Sequence, residues 1–395
     1  MGSYEDEVPA YLTIRVTAQD SPIAAFAEQE AWQARERYPD LARVGLGEFF
    51  WASEEDSGGW KLCEHGGSWP QQARDSLGSH FRLQAQLAER AGEEKAARGW
   101  MAGAHRTDRE VVDDLRVMGQ RFRIVRASHF IRRGGSGPEP PRPSDPDPGE
   151  VGEANRLPSR TKDFVVDPYT GTGLSEGILK LDLIHWTGVG LGGGQEAMHQ
   201  DALRAARDYP GGVLLPAVFV VSDRQDGDWQ LHSPGESHGT PQGARDSLAV
   251  WLRVMAPFSG ELTDAEVREY ARAADRLDDR RSNVAAVGGH RFRITRVERL
   301  VRIGPNGPEG PRPSDPDPEA PIEIQVAQLK AQGLWEEEDD EGPVASGELD
   351  EGALRLREMA EREEQRHQAA KEARRLVREQ RAKGLIPPEG PAGPE

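Results

Sequence analysis

The sequence predicts an α+β protein made of two tandem, duplicated ferredoxin-like lobes followed by a charged C-terminal helix. Each lobe has the order β-α-β-β-α-β with one extra helix. Three observations lead there. A long internal repeat divides the chain, both copies mix period-2 strand patterns with helical stretches, and the tail is rich in Glu and Arg.

The repeat is the organising fact. Gly119-Gln120-Arg121-Phe122-Arg123-Ile124 returns as Gly289-His290-Arg291-Phe292-Arg293-Ile294, an offset of 170. Gly137-Pro138-Glu139-Pro140-Pro141-Arg142-Pro143-Ser144-Asp145-Pro146-Asp147-Pro148 returns as Gly307-Pro308-Glu309-Gly310-Pro311-Arg312-Pro313-Ser314-Asp315-Pro316-Asp317-Pro318 at the same offset. Ala73-Arg74-Asp75-Ser76-Leu77 answers Ala244-Arg245-Asp246-Ser247-Leu248, and Tyr38-Pro39 answers Tyr209-Pro210. The copies run over 10–148 and 181–318. The expected organisation is a first lobe at 1–148, a Gly/Pro-rich linker at 149–180, a second lobe at 181–330, and an acidic hinge with a partly disordered helical tail at 331–395.

Within a copy, Leu12 to Val16 alternates as a half-buried strand, and its counterpart is Leu181 to Trp186. A helix follows, Ala24 to Tyr38 or Gln195 to Tyr209, closed by Tyr-Pro because the residue before proline avoids the helical region. Glu48 to Trp51 and Val213 to Val221 read as strands. A turn at Gly58-Gly59 or Asp226-Gly227-Asp228 leads to Trp60-Lys61-Leu62 or Trp229-Gln230-Leu231, making a hairpin. The next helix starts at Pro70 or Pro241, with Thr240 as N-cap in the second copy. Another helix covers about 93–108 and 263–280, where Thr263 and Glu266 form a capping box. In the last strand Phe122 and Ile124 share one face, while Arg121 and Arg123 take the other.

Composition narrows the function. Lys+Arg 50 against Asp+Glu 68 gives a net charge of −18, which argues against nucleic acid as a partner. A single cysteine, Cys63, excludes a disulfide framework and a cysteine-based zinc site. No apolar run is long enough for a membrane span, and Met1 to Glu7 is acidic rather than signal-like, so the chain is expected in the cytoplasm. The histidines do not cluster, and no metal or cofactor is expected.

The candidate contact residues come from the repeat. The Pro-Arg-Pro-Ser-Asp-Pro-Asp-Pro loop places Arg142, Asp145 and Asp147, and again Arg312, Asp315 and Asp317, on a stiff segment. That loop reads as a turn packed on its own lobe, with Arg142 paired locally; the alternatives are a partner contact or a hard-cation site. Arg121, Arg123 and Arg126 recur as Arg291, Arg293 and Arg296. They form a guanidinium row that either pairs with helix carboxylates or meets an acidic partner or anion. Gly188, Gly190 and Gly193 fit a dinucleotide fingerprint, although the first copy has no glycines there. Ser76 and Ser247 lack a nucleophile's companions.

Pro9-Ala10-Tyr11-Leu12-Thr13-Ile14-Arg15-Val16, Gln29-Glu30-Ala31-Trp32-Gln33-Ala34-Arg35 and the twice-present Pro-rich motif resemble an actinobacterial protein family of unknown function, over most of residues 9–330. Such proteins sometimes carry a PE-PGRS-type label, whose Gly-Ala-Asn-rich repeats this chain lacks. The resemblance implies no activity.

Nucleic-acid binding through the Arg strands is the least favoured of three functions, and two others follow as expectations. One is a non-enzymatic binding or regulatory protein that docks a protein partner through its tail, where Ser346 to Lys383 carries i,i+4 pairs such as Glu358/Arg362. The other is an enzyme or small-molecule binder with a site in the cleft between lobes. An enclosed pocket lined by polar residues that differ between the copies would favour the second.

Overall fold

The computed structural model describes residues 8–18, 20–56, 58–186, 196–225, 227–233, 235–260, 262–334, 351–383 and 385. After a 3-10 turn at Ala10–Leu12, helix α1 (Pro22–Arg37) opens on Ser21, whose side chain accepts from the Ala24 amide. Strands β1 (Asp40–Arg43), β2 (Glu48–Glu54) and β3 (Trp60–Leu62) lead to the helices α2 (Pro70–Arg90) and α3 (Glu94–Arg109). Strands β4 (Asp114–Val117), β5 (Gln120–Gly134) and β6 (Gly137–Pro138) close the first half. The connection carries β7 (Val165–Val166) and α4 (Leu174–Ile184).

The second half runs α5 (Glu196–Asp208), β8 (Gly211–Arg224), β9 (Gln230–Leu231) and α6 (Pro241–Val250). Thr240 caps α6, accepting from the Gly243 amide at 3.0 Å. A π-helical turn, Trp251–Met255, links α6 to α7 (Ala256–Phe258), with the Ala256 amide donating to Trp251. Pro257 has no N–H to offer, so the regular ladder could not continue through it. Then come α8 (Asp264–Arg280), opened by the Thr263/Glu266 capping box, β10 (Val284–Val287), β11 (His290–Gly304), β12 (Gly307–Pro308), α9 (Ile322–Ala331) and α10 (Glu351–Ala382).

One antiparallel sheet joins both halves in the order β7-β3-β2-β5-β11-β8-β9. The 15-residue strands β5 and β11 meet at its centre, with Phe130 opposite Glu298, His129 opposite Arg299 and Ala127 opposite Val301. Helices α2 and α3 cover the first half's core of Phe49, Leu77, Phe81, Phe122 and Ile124. Helices α6 and α8 cover Phe219, Leu248, Leu252, Phe292 and Ile294 in the second. Each such side chain, fully buried, contributes about 1.5–3 kcal/mol of transfer free energy.

The architecture is α+β, as the sequence implies, but the ferredoxin-like order is not what forms. The expected first strand at Leu12 to Val16 reduces to the 3-10 turn and one bridge, Val16 to Thr172. Its counterpart, Leu181 to Trp186, is largely the end of α4. There Leu179, Leu183 and Ile184 are buried at helical spacing, a periodicity that a run of apolar residues disguises as a strand. The segment 149–180 is also more than a connector, because Val165 and Val166 add a strand against Lys61 and Trp60. The Gly188 loop, part of the second hairpin turn (Asp226) and the acidic run at 336–341 lie outside the described residues. Among the described residues no helix is long and apolar enough to cross a membrane.

Candidate functional site

The Pro-rich loops do not pack on their own halves alone; each also reaches across to the opposite half. Because β5 and β11 run antiparallel at the seam, the loop after each strand emerges beside the other half. Asp315 accepts from Arg126 Nε at 2.8 and 3.0 Å, and Asp145 accepts from Arg296 Nε at 3.0 and 3.1 Å. Asp317 accepts from the Gln71 amide (2.9 Å) and from Arg74 (2.6 Å), at the start of α2. Asp147 accepts from the Gln242 amide (2.7 Å) and pairs with Arg245, at the start of α6. A carboxylate at a helix N-terminus also meets the favourable end of the dipole. Arg142 and Arg312 do pair locally, with Glu139 and Glu309, each at 2.6 Å. The loops tie back to their own halves too, through Ser144 to Glu30 and Ser314 to Asp201.

The strand arginines take similar work. Arg121 and Arg123 both donate to Asp114, and both guanidinium groups lie over the Trp60 ring, at 5.3 and 5.2 Å. Arg123 also donates to the carbonyls of Asn306 and Pro308 in the opposite half. Arg293 mirrors it, donating to the Pro138 carbonyl and lying over Trp229 at 5.0 Å. Arg291 is exposed and has no side-chain partner among the described residues.

A cavity of about 540 Å³ opens between the halves. Its floor is apolar, formed by Val44, Val218, Val220 and Val297. On one wall Glu48 accepts from Arg299 Nη1 at 2.8 Å and lies 3.3 Å from His129 Nε2. Burial raises the Glu48 pKa, but the Arg299 charge and the His129 hydrogen bond outweigh it and hold the carboxyl at about 2. Arg299 is fixed from behind by the Pro216 carbonyl. Across the cavity His238 Nδ1 lies 3.0 Å from Asn155 Oδ1, and its Nε2 lies 3.4 Å from Glu236. The His238 hydrogen bond, with help from Ser247, holds Glu236 at about 2 despite its partial burial.

Corresponding positions of the two halves differ here. His129 and Arg299 sit opposite each other on the central strand pair. Glu48 in β2 corresponds to Val218 in β8. Gly67, bridged to Phe49, corresponds to His238, bridged to Phe219. The repeat draws the eye to what the copies share, and it is silent on these residues. The signal that finds Glu48 and His238 is a change from apolar or glycine to a polar side chain between copies.

The remaining sequence candidates stand apart from this cavity. Gly188, Gly190 and Gly193 lie outside the described residues. Ser76 accepts from the Trp51 indole, and Ser247 donates to Glu236. Among the described residues one trio, His105, Asp108 and Glu323, groups potential metal ligands. Asp108 is already taken by Arg82 (2.5 and 2.6 Å) and Glu323 by Arg109 (2.7 Å). The tail helix α10 lies on its own chain, with Glu363 buried against Arg253 at 3.1 Å and Lys371 paired to Glu153 at 2.5 Å.

Comparison with curated proteins gives no match, and comparison with solved structures gives none. A family model does match, over residues 21–318, a span that contains both Pro-rich loops, the central strand pair and every cavity residue named above. The chain belongs to that family, a family of unknown function (DUF5954).

Proposed function

We propose that the chain is a small-molecule-binding protein whose ligand lies in the cleft between its halves. The observation that carries this is the asymmetry of the cavity: Glu48, His129, Arg299 and His238 converge on it although their counterparts differ. The volume falls in the range of small-molecule sites. The valine floor suits an apolar body, and the imidazoles of His129 and His238 suit polar groups at its two ends.

Binding is favoured over acid–base catalysis by the state of the carboxylates. A general base works best with a pKa near the operating pH. Glu48 and Glu236 are both held at about 2, which leaves them weak bases. On this reading the halves descend from a duplicated module, and the reciprocal loops hold the two copies at a fixed spacing. Each copy then kept or gained different polar residues, Glu48 and His129 in the first and Arg299 and His238 in the second, over a shared valine floor. A cytoplasmic setting and a partner for the tail belong to the same proposal.

A fragment screen by ligand-observed NMR tests it. Hits should compete with one another, and should be lost in His129→Phe and His238→Phe. Hits that persist in both variants would refute the cleft as the site.

A further inference from the structure

A second cavity, of about 410 Å³, is bounded by α1, α4, β8 and the connection between halves. Its lining is rich in cations, and most of them are matched. Arg35 pairs with Asp182 at 3.1 Å, Arg142 with Glu139 at 2.6 Å, and Arg296 with Asp145 at 3.0 Å. Two are not. Lys180, on α4, is only 4% exposed, and neither its amine nor the half-buried Arg160 guanidinium has a hydrogen-bond or ion-pair partner among the described residues. The Thr172 hydroxyl, also in the lining, is buried without a partner.

The Lys180 side chain is largely withdrawn from bulk water, its amine facing the cavity, and native proteins normally pair such a cation. Burial accordingly pushes the Lys180 amine below the usual lysine range. The same holds for Arg160, which burial pushes down and the nearby charges of Arg296 and Arg299 push further. Asp145 pulls the other way, but its carboxylate is already engaged by Arg296 and the Arg142 amide. The lining also carries the carboxylates Asp145, Asp167, Glu176 and Glu298, yet Lys180 and Arg160 pair with none of them, and two unmatched cations with an orphaned hydroxyl around one open cavity describe a receptor for negative charge.

We propose that this second cavity binds the carboxylate or phosphate group of a small molecule, clasped by Lys180 and Arg160. Arg160 supplies a planar fork, Lys180 a compact point charge, and Thr172 a hydroxyl donor. Arg160 also lines the cleft between halves, so Lys180 is the residue that separates this site from that one.

The test titrates the full chain with inorganic phosphate and, in a second arm, with succinate, at constant ionic strength. Binding is followed by thermal stabilisation and by tryptophan fluorescence, for which Trp32 in the lining is a reporter. One saturable event is expected with at least one of the two anions, and the better anion identifies the ligand group. Lys180→Met and Arg160→Met should each weaken it by about tenfold or more, the scale of one lost charge-assisted contact. His238→Phe, which alters only the first cleft, should leave it unchanged. Should the Met variants fail to fold, reductive methylation of the wild-type chain gives the answer, since saturating anion should slow labelling of Lys180 and not of surface lysines. No saturation by either anion, unchanged binding in Lys180→Met, or labelling indifferent to the anion would each overturn the proposal.

Discussion

Arg126 on β5 and Asp315 in the second Pro-rich loop lie 189 residues apart in sequence and form a buried ion pair, with side chains 1% and 4% exposed. Arg126 also donates to Ser128 and to the Leu46 carbonyl, so each of its three guanidinium nitrogens is engaged. Removing one partner leaves the other charge buried and unmatched. Asp315→Asn or Arg126→Met should therefore cost about 3–5 kcal/mol. The double variant should cost clearly less than the sum, because the stranded charge is gone. Urea denaturation of the four chains measures this, and strict additivity would show that the two residues are not coupled.

The turn that precedes this loop carries a second, steric expectation. Gly307 has φ +107, and a Cβ there would meet the Trp60 indole nitrogen at 2.7 Å. Gly137 has φ +112 and faces Trp229 in the same way. Gly119, with φ +86, faces open space. All three changes to Ala incur backbone strain of about 1 kcal/mol or more. Gly307→Ala and Gly137→Ala must also displace a tryptophan that two arginines or Arg293 lie upon. They should lower the melting temperature well beyond Gly119→Ala; equal shifts would mean the indoles move freely.

The two most strongly repeated motifs turn out to be each other's partners. Arg74, from Ala-Arg-Asp-Ser-Leu, bonds Asp317 in the opposite loop, and Arg245 bonds Asp147. Strands β2, β3, β5, β8 and β11, the hairpins, the proline-started helices and the Thr263 capping box were legible because each rests on local pattern. The crossing of the loops was not, because it depends on which strands meet at the seam. No local period encodes the pairing of β5 with β11. Leu181 to Trp186 misled for a related reason: its apolar run fits a strand or a buried helix equally, and the packing of Leu183 and Leu179 against the sheet decides. The cleft residues stayed hidden because the repeat highlights what the copies share, and here they differ, at Glu48 and His238.

Acid should reveal the cleft carboxylate. Glu48 is held at about 2 in the folded chain against 4.5 for an ordinary glutamate. A carboxyl with a depressed folded pKa adds stability above its unfolded value and loses it as pH falls toward the folded value. Stability should thus decline between about pH 5 and pH 2 as Glu48 and Glu363, both at about 2, take up protons on unfolding. Glu48→Gln should be less stable at neutral pH, since Arg299 loses the one carboxylate it pairs with among the described residues, and should show a shallower decline over that range. Parallel slopes for the variant and the parent in chemical melts across pH would show that Glu48 is not ionised in the way described.

The tail helix gives an expectation that separates docking from folding. Arg253, 7% exposed in its side chain, donates to Asp275 and Asp278 at 2.7 Å each and to Glu363 of α10 at 3.1 Å. Truncation before residue 351 removes one of three acceptors and leaves Arg253 matched. It should cost only about 1–2 kcal/mol, the value of one charge-assisted hydrogen bond together with exposed ion pairs of small worth. Arg253→Ala is the harsher change, because among the described residues Asp278, 10% exposed, then keeps only Arg366, while Glu363, 9% exposed, keeps Arg366 and His367. It should cost about 3 kcal/mol. Equilibrium unfolding ranks the two chains. A truncated protein less stable than Arg253→Ala would make α10 part of the core rather than an arm laid upon it.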